Sequence, residues 1–171
     1  LYTNAVQRYC DSLGCNAPAP DPAVPSITFD VTYSSSKGGS GGSAFSDSLP
    51  TNAVQDVRKV LIRSGSEIDN IQFWVSDGIN SFYTAAHGGT GGSAKTWEVP
   101  DGEHITQIEV RSGARVDSLT FITDKGTKSP KYGGNGGSYS LVNINGNLVS
   151  MKGRSGSRLD NIVFVGYKLK Y

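Results

Sequence analysis

Three aspartates, Asp69, Asp117 and Asp160, recur in one setting. Each closes a string of the form Arg-Ser-Gly-x-x-aliphatic-Asp, beginning at Arg63, Arg111 and Arg154. Each is followed by Asn or Ser, an aliphatic residue, any residue and a Phe (Phe73, Phe121, Phe164). Ahead of each string stands a double-glycine element: Gly38-Gly39-Ser40-Gly41-Gly42-Ser43, Gly88-Gly89-Thr90-Gly91-Gly92-Ser93 and Gly133-Gly134-Asn135-Gly136-Gly137-Ser138. A carboxylate accepts strong hydrogen bonds from hydroxyls, about twice the strength of a neutral pair. Backbone without side chains can approach a ligand closely and offer its N–H groups. A pyranose presents adjacent hydroxyls on a small uncharged body, so one Asp can take two of them and backbone amides the next. This chemistry needs no metal, nucleophile or base. Taken singly, Gly-x-x-x-Asp also reads as a hairpin turn, with Gly at positive φ and Asp bonding nearby amides. A double-glycine stretch alone reads as a loose loop. A plain hairpin, however, needs no partner loop stripped of side chains, and the two elements recur together.

The elements that position these residues repeat as well. The glycine loops are 50 and then 45 residues apart, and the Arg-Ser-Gly turns 48 and then 43. Period-two runs mark strands: Ile27, Phe29, Val31 and Tyr33 ahead of the first loop, and Ile71-x-Phe73-x-Val75 after the first turn. Leu119-x-Phe121 and Ile162-x-Phe164 follow the later turns. Val57-x-x-Val60-x-Ile62, Ile105-x-x-Ile108-x-Val110 and Leu148-x-x-Met151 precede the three turns. Units of this size cannot bury a face alone and must pack on one another. The expectation is an all-β closed prism with pseudo-threefold symmetry. A β-trefoil is disfavoured, because Gln-x-Trp repeats are absent.

Composition narrows the function. The 171 residues, 36% apolar and 18% charged, describe one globular domain with a real core. A formal net charge of +1 argues against a general electrostatic grip on nucleic acid, and no apolar run is long enough for membrane insertion. Twelve of the 22 glycines lie in the three repeated loops, so the excess is architectural. Residues 1–25 form a separate N-terminal arm: Leu1 to Cys15 with roughly helical spacing, then a Pro-rich connector to Pro25. Cys10 and Cys15 read as disulfide cysteines of a secreted, extracellular protein, and the chain starts as a processed secretory protein would. They can close a loop within the arm or join two chains in a homodimer. His87 and His104 are not in metal-ligand spacing with them, so no metal or other cofactor is expected. A glycosidase needs two carboxylates about 5 to 10 Å apart, whereas each repeat supplies one repeated acid. An enzyme is therefore not expected. The competing non-enzymatic reading is an extracellular structural or matrix protein that keeps the scaffold without binding sugar.

On the motif Gly38-Gly-Ser-Gly-Gly-Ser-Ala-Phe45, the Gly-x-x-x-Asp turns and the closing Arg154-Ser-Gly-x-x-Leu-Asp-Asn-Ile162, residues 26–171 resemble the jacalin-related lectins of the β-prism I fold, mannose/glucose type. The resemblance implies three four-stranded antiparallel sheets and three carbohydrate sites, each pairing a turn with the glycine loop of a neighbouring unit. Carried over, Asp160 with Ser157 and Arg158 pairs with Gly42. Asp69 with Ser66 and Glu67 pairs with Gly92, and Asp117 with Ala114 and Arg115 pairs with Gly137. The galactose-binding branch is cut at the first loop; here Tyr33 to Ala44 is continuous, which implies mannose or glucose. The charges on Glu67, Arg115 and Arg158 read first as surface solvation, with unequal sites and a preference of Arg115 or Arg158 for acidic or extended glycans as the alternative; Arg63, Arg111 and Arg154 read as braces of the loops. His87, beside Gly88, reads as a surface residue or as an extension of one site. Tyr83, Trp97, Tyr132 and Tyr139 lie close to the loops in sequence, where an aromatic can stack on a sugar face; as single aromatics they read as packing.

Overall fold

The computed structural model describes residues 28–51 and 54–170. The arm, its helical spacing and both cysteines lie outside the described residues. The strands run β1 (Thr28–Tyr33), β2 (Lys37–Gly38), β3 (Ser43–Ser46), β4 (Asp56–Ser64), β5 (Ile68–Ser76), β6 (Ser81–Tyr83) and β7 (His87–Gly88). They continue as β8 (Ser93–Glu98), β9 (Ile105–Ser112), β10 (Val116–Thr123), β11 (Tyr132–Gly133), β12 (Ser138–Asn143), β13 (Asn147–Ser155) and β14 (Leu159–Lys170). Three antiparallel sheets result, each four strands across, in the orders β1-β14-β13-β3, β6-β5-β4-β8 and β11-β10-β9-β12. In the first two the outer strand is interrupted, so that β2 continues β1 along β14 and β7 continues β6 along β5. The fold is the expected β-prism I.

Each sheet is built on a long hairpin, β4–β5, β9–β10 or β13–β14, whose tip is an Arg-Ser-Gly turn. The first sheet closes the prism, because β1, β2 and β3 from the start of the domain pair with β13 and β14 from its end. Inward residues of all three sheets meet in one core, with Ile68, Ile71, Phe73, Leu119, Phe121, Leu159, Ile162 and Phe164 fully buried. The three motif phenylalanines gather there. Phe121 stands edge-to-face with Phe73 at 6.4 Å and with Phe164 at 6.5 Å.

The three-residue spacings have one cause. In Val57-x-x-Val60 the ladder shifts between Val57 and Lys59, leaving Arg58 as an extra residue. The same shift leaves Thr106 extra in β9 and Val149 extra in β13. A bulge of this kind restores the inward face after an odd spacing and adds twist. One strand departs from its expected burial. β1 forms, but its alternation does not reach the core: Val31 and Tyr33 are exposed, and Phe29 stacks instead on Tyr167, ring centroids 4.0 Å apart. β1 is an outer strand that pairs only with β14 among the described residues, and the Phe29–Tyr167 pair joins Val149 and Val165 in a small separate cluster.

Candidate functional site

A second bulge lies just past each hairpin tip. Arg63 pairs with Asn70 and Ser64 with Ile68, so Asp69 has no partner across the ladder. Asp117 and Asp160 are likewise the extra residues of β10 and β14. The bulge lets Ile68 and Ile71 both face the core although they stand three positions apart. It also re-aims the intervening carboxylate. The three repeated aspartates are therefore set apart by backbone geometry.

The glycine loops cross the hairpin tips. Gly38 pairs with Asn161 on one edge of the β13–β14 hairpin and Ser43 with Ser155 on the other, so Gly39 to Gly42 pass across its end. The loops at Gly88 to Ser93 and Gly133 to Ser138 cross their hairpins in the same way. Close approach explains the missing side chains. A Cβ on Gly42 would stand 2.6 Å from Asp160 Oδ2, one on Gly92 2.5 Å from Asp69 Oδ2 and one on Gly137 2.5 Å from Asp117 Oδ2. Gly42, Gly92 and Gly137 also take φ of +66°, +64° and +63°, which side chains disfavour. The three turn-to-loop pairings expected from the resemblance are thus all present. Their logic is topological, since every sheet joins one hairpin tip to the loop of the following repeat.

Two expectations need correction. The turn glycines Gly65, Gly113 and Gly156 do not adopt positive φ; within the repeated elements the left-handed glycines are Gly38, Gly42, Gly88, Gly92, Gly133 and Gly137 of the loops. The turns close instead through Gly65 N–H donating to the Glu67 carbonyl, with equivalents at Gly113 and Gly156. Their glycines face the loop glycines: a Cβ on Gly113 would lie 3.7 Å from Gly137 Cα, and one on Gly156 3.7 Å from Gly42 Cα. The aspartates, moreover, are not spent on the turn. No backbone amide donates to the Asp69, Asp117 or Asp160 carboxylate among the described residues, and their carbonyls do the bracing. Gly39, Gly89 and Gly134 N–H donate to the Asp160, Asp69 and Asp117 carbonyls at 2.8, 2.8 and 2.9 Å.

The arginines brace the loops, as expected. Arg63 donates to the Gly91 and Gly92 carbonyls, Arg111 to those of Gly136 and Gly137, and Arg154 to those of Ser40, Gly41 and Gly42. With those carbonyls engaged, the loop amides and the carboxylate are what remain for a ligand. Asn70 and Asn161 add bonds to the Gly89 and Gly39 carbonyls. Ser118, at the equivalent position, is too short to copy them.

Glu67, Arg115 and Arg158 are not merely solvated. Glu67 Oε2 lies 3.1 Å from Arg158 Nε and 3.4 Å from Arg115 Nη1. Ser66, Ala114 and Ser157 touch glycines of neighbouring loops, as described below. Burial, and next the Glu67 charge, push the Asp117 carboxyl above the usual range, so it protonates earlier on acidification than an ordinary aspartate. His87 is not a surface residue. It is buried, stacked on Phe45 at 3.6 Å, and its Nε2 lies 2.7 Å from Asp47 Oδ1, joining the first two sheets. Nothing in its sequence neighbourhood signals that partner, which lies 40 residues away. Of the aromatics near the loops, Tyr132 is buried and Trp97 packs on Phe121, while Tyr83 and Tyr139 are exposed. Among the described residues, no group of three or more His, Cys, Asp or Glu side chains could hold a metal.

Comparison with known proteins accounts for this arrangement. The jacalin-like lectin domain family matches residues 34–165. The chain is 34% identical to griffithsin from Griffithsia sp. over 126 residues, which is 73% of this chain and 88% of griffithsin. It is 35% identical over 133 residues to myrosinase-binding protein 2 of Arabidopsis thaliana, of whose length the match spans only 19%. Among solved structures, a mannose-binding jacalin-related lectin from Ananas comosus superposes with TM-score 0.68 at 27% identity, covering 79% of this chain and 96% of that one. Artocarpin, solved in complex with mannotriose, shares the fold with TM-score 0.71 at 23% identity, covering 83% of this chain and 99% of that one. The chain belongs to the jacalin-like lectin family and is a carbohydrate-binding lectin domain, not an enzyme.

Proposed function

We propose that this chain is a multivalent lectin with three metal-independent sites for mannose- or glucose-type glycans, at Asp69 with Gly92, Asp117 with Gly137, and Asp160 with Gly42. The observation that carries the reading is the state of the three carboxylates. Each lies against side-chain-free backbone, and among the described residues no backbone amide donates to it. Arg158 and Arg115 approach one oxygen each of Asp69 and Asp160 at 3.4 and 3.7 Å, which leaves acceptor capacity on every carboxylate for an outside donor. The backbone of Ser66 and Glu67, Ala114 and Arg115, and Ser157 and Arg158 supplies the turn side of each site. The mannose-binding lectin of Ananas comosus and the mannotriose complex of artocarpin support the choice of sugar. So does the uncut first loop. As part of the same proposal the protein is secreted, and the arm bearing Cys10 and Cys15 can join two chains and double the valence for cross-linking.

One shallow site should hold a monosaccharide with Kd on the order of 1 mM, about −4 kcal/mol. Linked sites raise avidity for a clustered glycan by roughly 100-fold or more where geometry allows them to bind together. Calorimetric titration with mannose, glucose and galactose in the presence of a chelator tests this. Binding of mannose or glucose, weaker binding of galactose and no effect of the chelator are expected. No response to mannose, glucose or their oligomers would refute the proposal.

A further inference from the structure

We propose that the side chain of the second residue after each turn glycine acts on the neighbouring site, while its backbone serves its own, sorting glycans by charge: Arg158 and Arg115 favour mannose- or glucose-type glycans bearing a carboxylate or sulfate at the Asp69 and Asp160 sites, and Glu67 turns them away from the Asp117 site. The inference rests on the sugar-binding reading above and adds a ligand class to it.

The three sites interlock around the pseudo-threefold axis. A Cβ on Gly89, in the loop of the Asp69 site, would stand 2.4 Å from the Ser157 carbonyl of the third turn. One on Gly39, in the loop of the Asp160 site, would stand 2.4 Å from the Ala114 carbonyl of the second turn. One on Gly134, in the loop of the Asp117 site, would stand 2.4 Å from the Ser66 carbonyl of the first turn. Each turn therefore borders two sites, its own and the next. The side chain that follows Ser157, Ala114 or Ser66 reaches across that border.

The ion pairs follow the same circuit. Arg158 Nε lies 3.4 Å from Asp69 Oδ1, and Arg115 Nε lies 3.7 Å from Asp160 Oδ1. Glu67 sits on the Asp117 side, where its charge acts on that carboxyl. Including the bracing arginines, the Asp69 carboxylate lies between the guanidiniums of Arg63 and Arg158, the latter shared with Glu67. The Asp160 site sets its carboxylate against those of Arg154 and Arg115. The Asp117 site differs: its carboxylate feels the Glu67 charge first, and the opposing guanidiniums of Arg111 and Arg115 after it. Arg158 and Arg115 are 41% and 42% exposed, and Glu67 engages only one edge of each. A guanidinium carries five donors in a fixed fork that suits carboxylate and sulfate oxygens, so both keep donors facing solvent. An uncharged ring can then bind Asp69 or Asp160 while an anionic substituent reaches the neighbouring arginine.

The test is a site-resolved NMR titration that follows the amides of Gly92, Gly42 and Gly137. The probes are a neutral mannose disaccharide and the same disaccharide bearing a sulfate or a uronate. Either anion should bind about threefold to tenfold tighter than the neutral sugar at Gly92 and Gly42, and more weakly at Gly137, as for a partly screened charge contact. A response to sulfate alone or uronate alone supports the inference and identifies the anion. The preference should shrink as salt rises from about 0.02 M to about 0.3 M. Arg158→Gln should remove the preference at Gly92 and leave it at Gly42. Equal affinities at all three sites, or loss at Gly42 in place of Gly92, would overturn the inference while sugar binding stands. Failure of every probe to bind would overturn it together with the sugar-binding reading.

Discussion

Replacing Asp69, Asp117 and Asp160 together by Asn abolishes measurable binding to mannose- and glucose-type glycans and leaves the fold intact. Asn has nearly the same shape, so the hairpins, their bulges and the carbonyl bonds to Gly39, Gly89 and Gly134 persist. What changes is the acceptor. A hydrogen bond to a charged group is worth about 1.5–3 kcal/mol, and an amide also directs N–H groups at hydroxyls the carboxylate would have accepted. Each site then weakens by roughly 10-fold to 150-fold from a starting Kd of about 1 mM, beyond the useful range of titration. Avidity on a clustered glycan falls with it, because linkage multiplies only sites that bind. Surface plasmon resonance on a mannose-rich glycoprotein, beside circular dichroism of the variant, reads both parts. Unchanged avidity in a folded triple variant would show that the carboxylates are not the acceptors and would favour a purely structural role for the repeats.

Phe121→Ala produces the converse result, a large loss of stability. Phe121 is fully buried between Phe73 and Phe164, and Trp97 stacks over it at 6.4 Å. Truncating a buried Phe costs about 3–5 kcal/mol through lost transfer energy and the cavity left behind. Three ring contacts and three sheets meet at this position, so collapse around the cavity is limited. Against a total of about 5–15 kcal/mol for a typical domain, the variant should unfold at much lower denaturant with a similar m-value. A loss below about 1 kcal/mol would mean that the core tolerates the void and that the sheets do not depend on a shared centre.

The two variants separate what the motif encodes. Its aliphatic and Phe positions hold the prism together, and its Asp is left over by a bulge. That division was largely legible in the residue types. Repetition exposed the three Asp-and-glycine pairs, and alternation exposed the strands. The spacing in Val57-x-x-Val60 already departed from period two, and the extra Arg58 accounts for it. Partnership between turn and loop was not legible from the repeats themselves. It depends on β1, β2 and β3 joining β13 and β14 across the whole domain, a closure that no local pattern announces. The ion pairs that join Glu67 to Arg115 and Arg158 were not legible for a related reason. As single charges these residues read first as solvated, and only the convergence of three turns near one axis makes them partners. His87 was misread because burial against Asp47 and Phe45 comes from contact between sheets, while its sequence neighbours are loop residues.

The most direct measurement is a crystal soaked with mannose in the presence of a chelator, with sugar density sought at all three hairpin tips. The account predicts a ring at Asp69, Asp117 and Asp160, its hydroxyls on the carboxylate and on the amides of the adjoining glycine loop. Sugar bound elsewhere on the prism at saturating mannose, with the three carboxylates untouched, would contradict it.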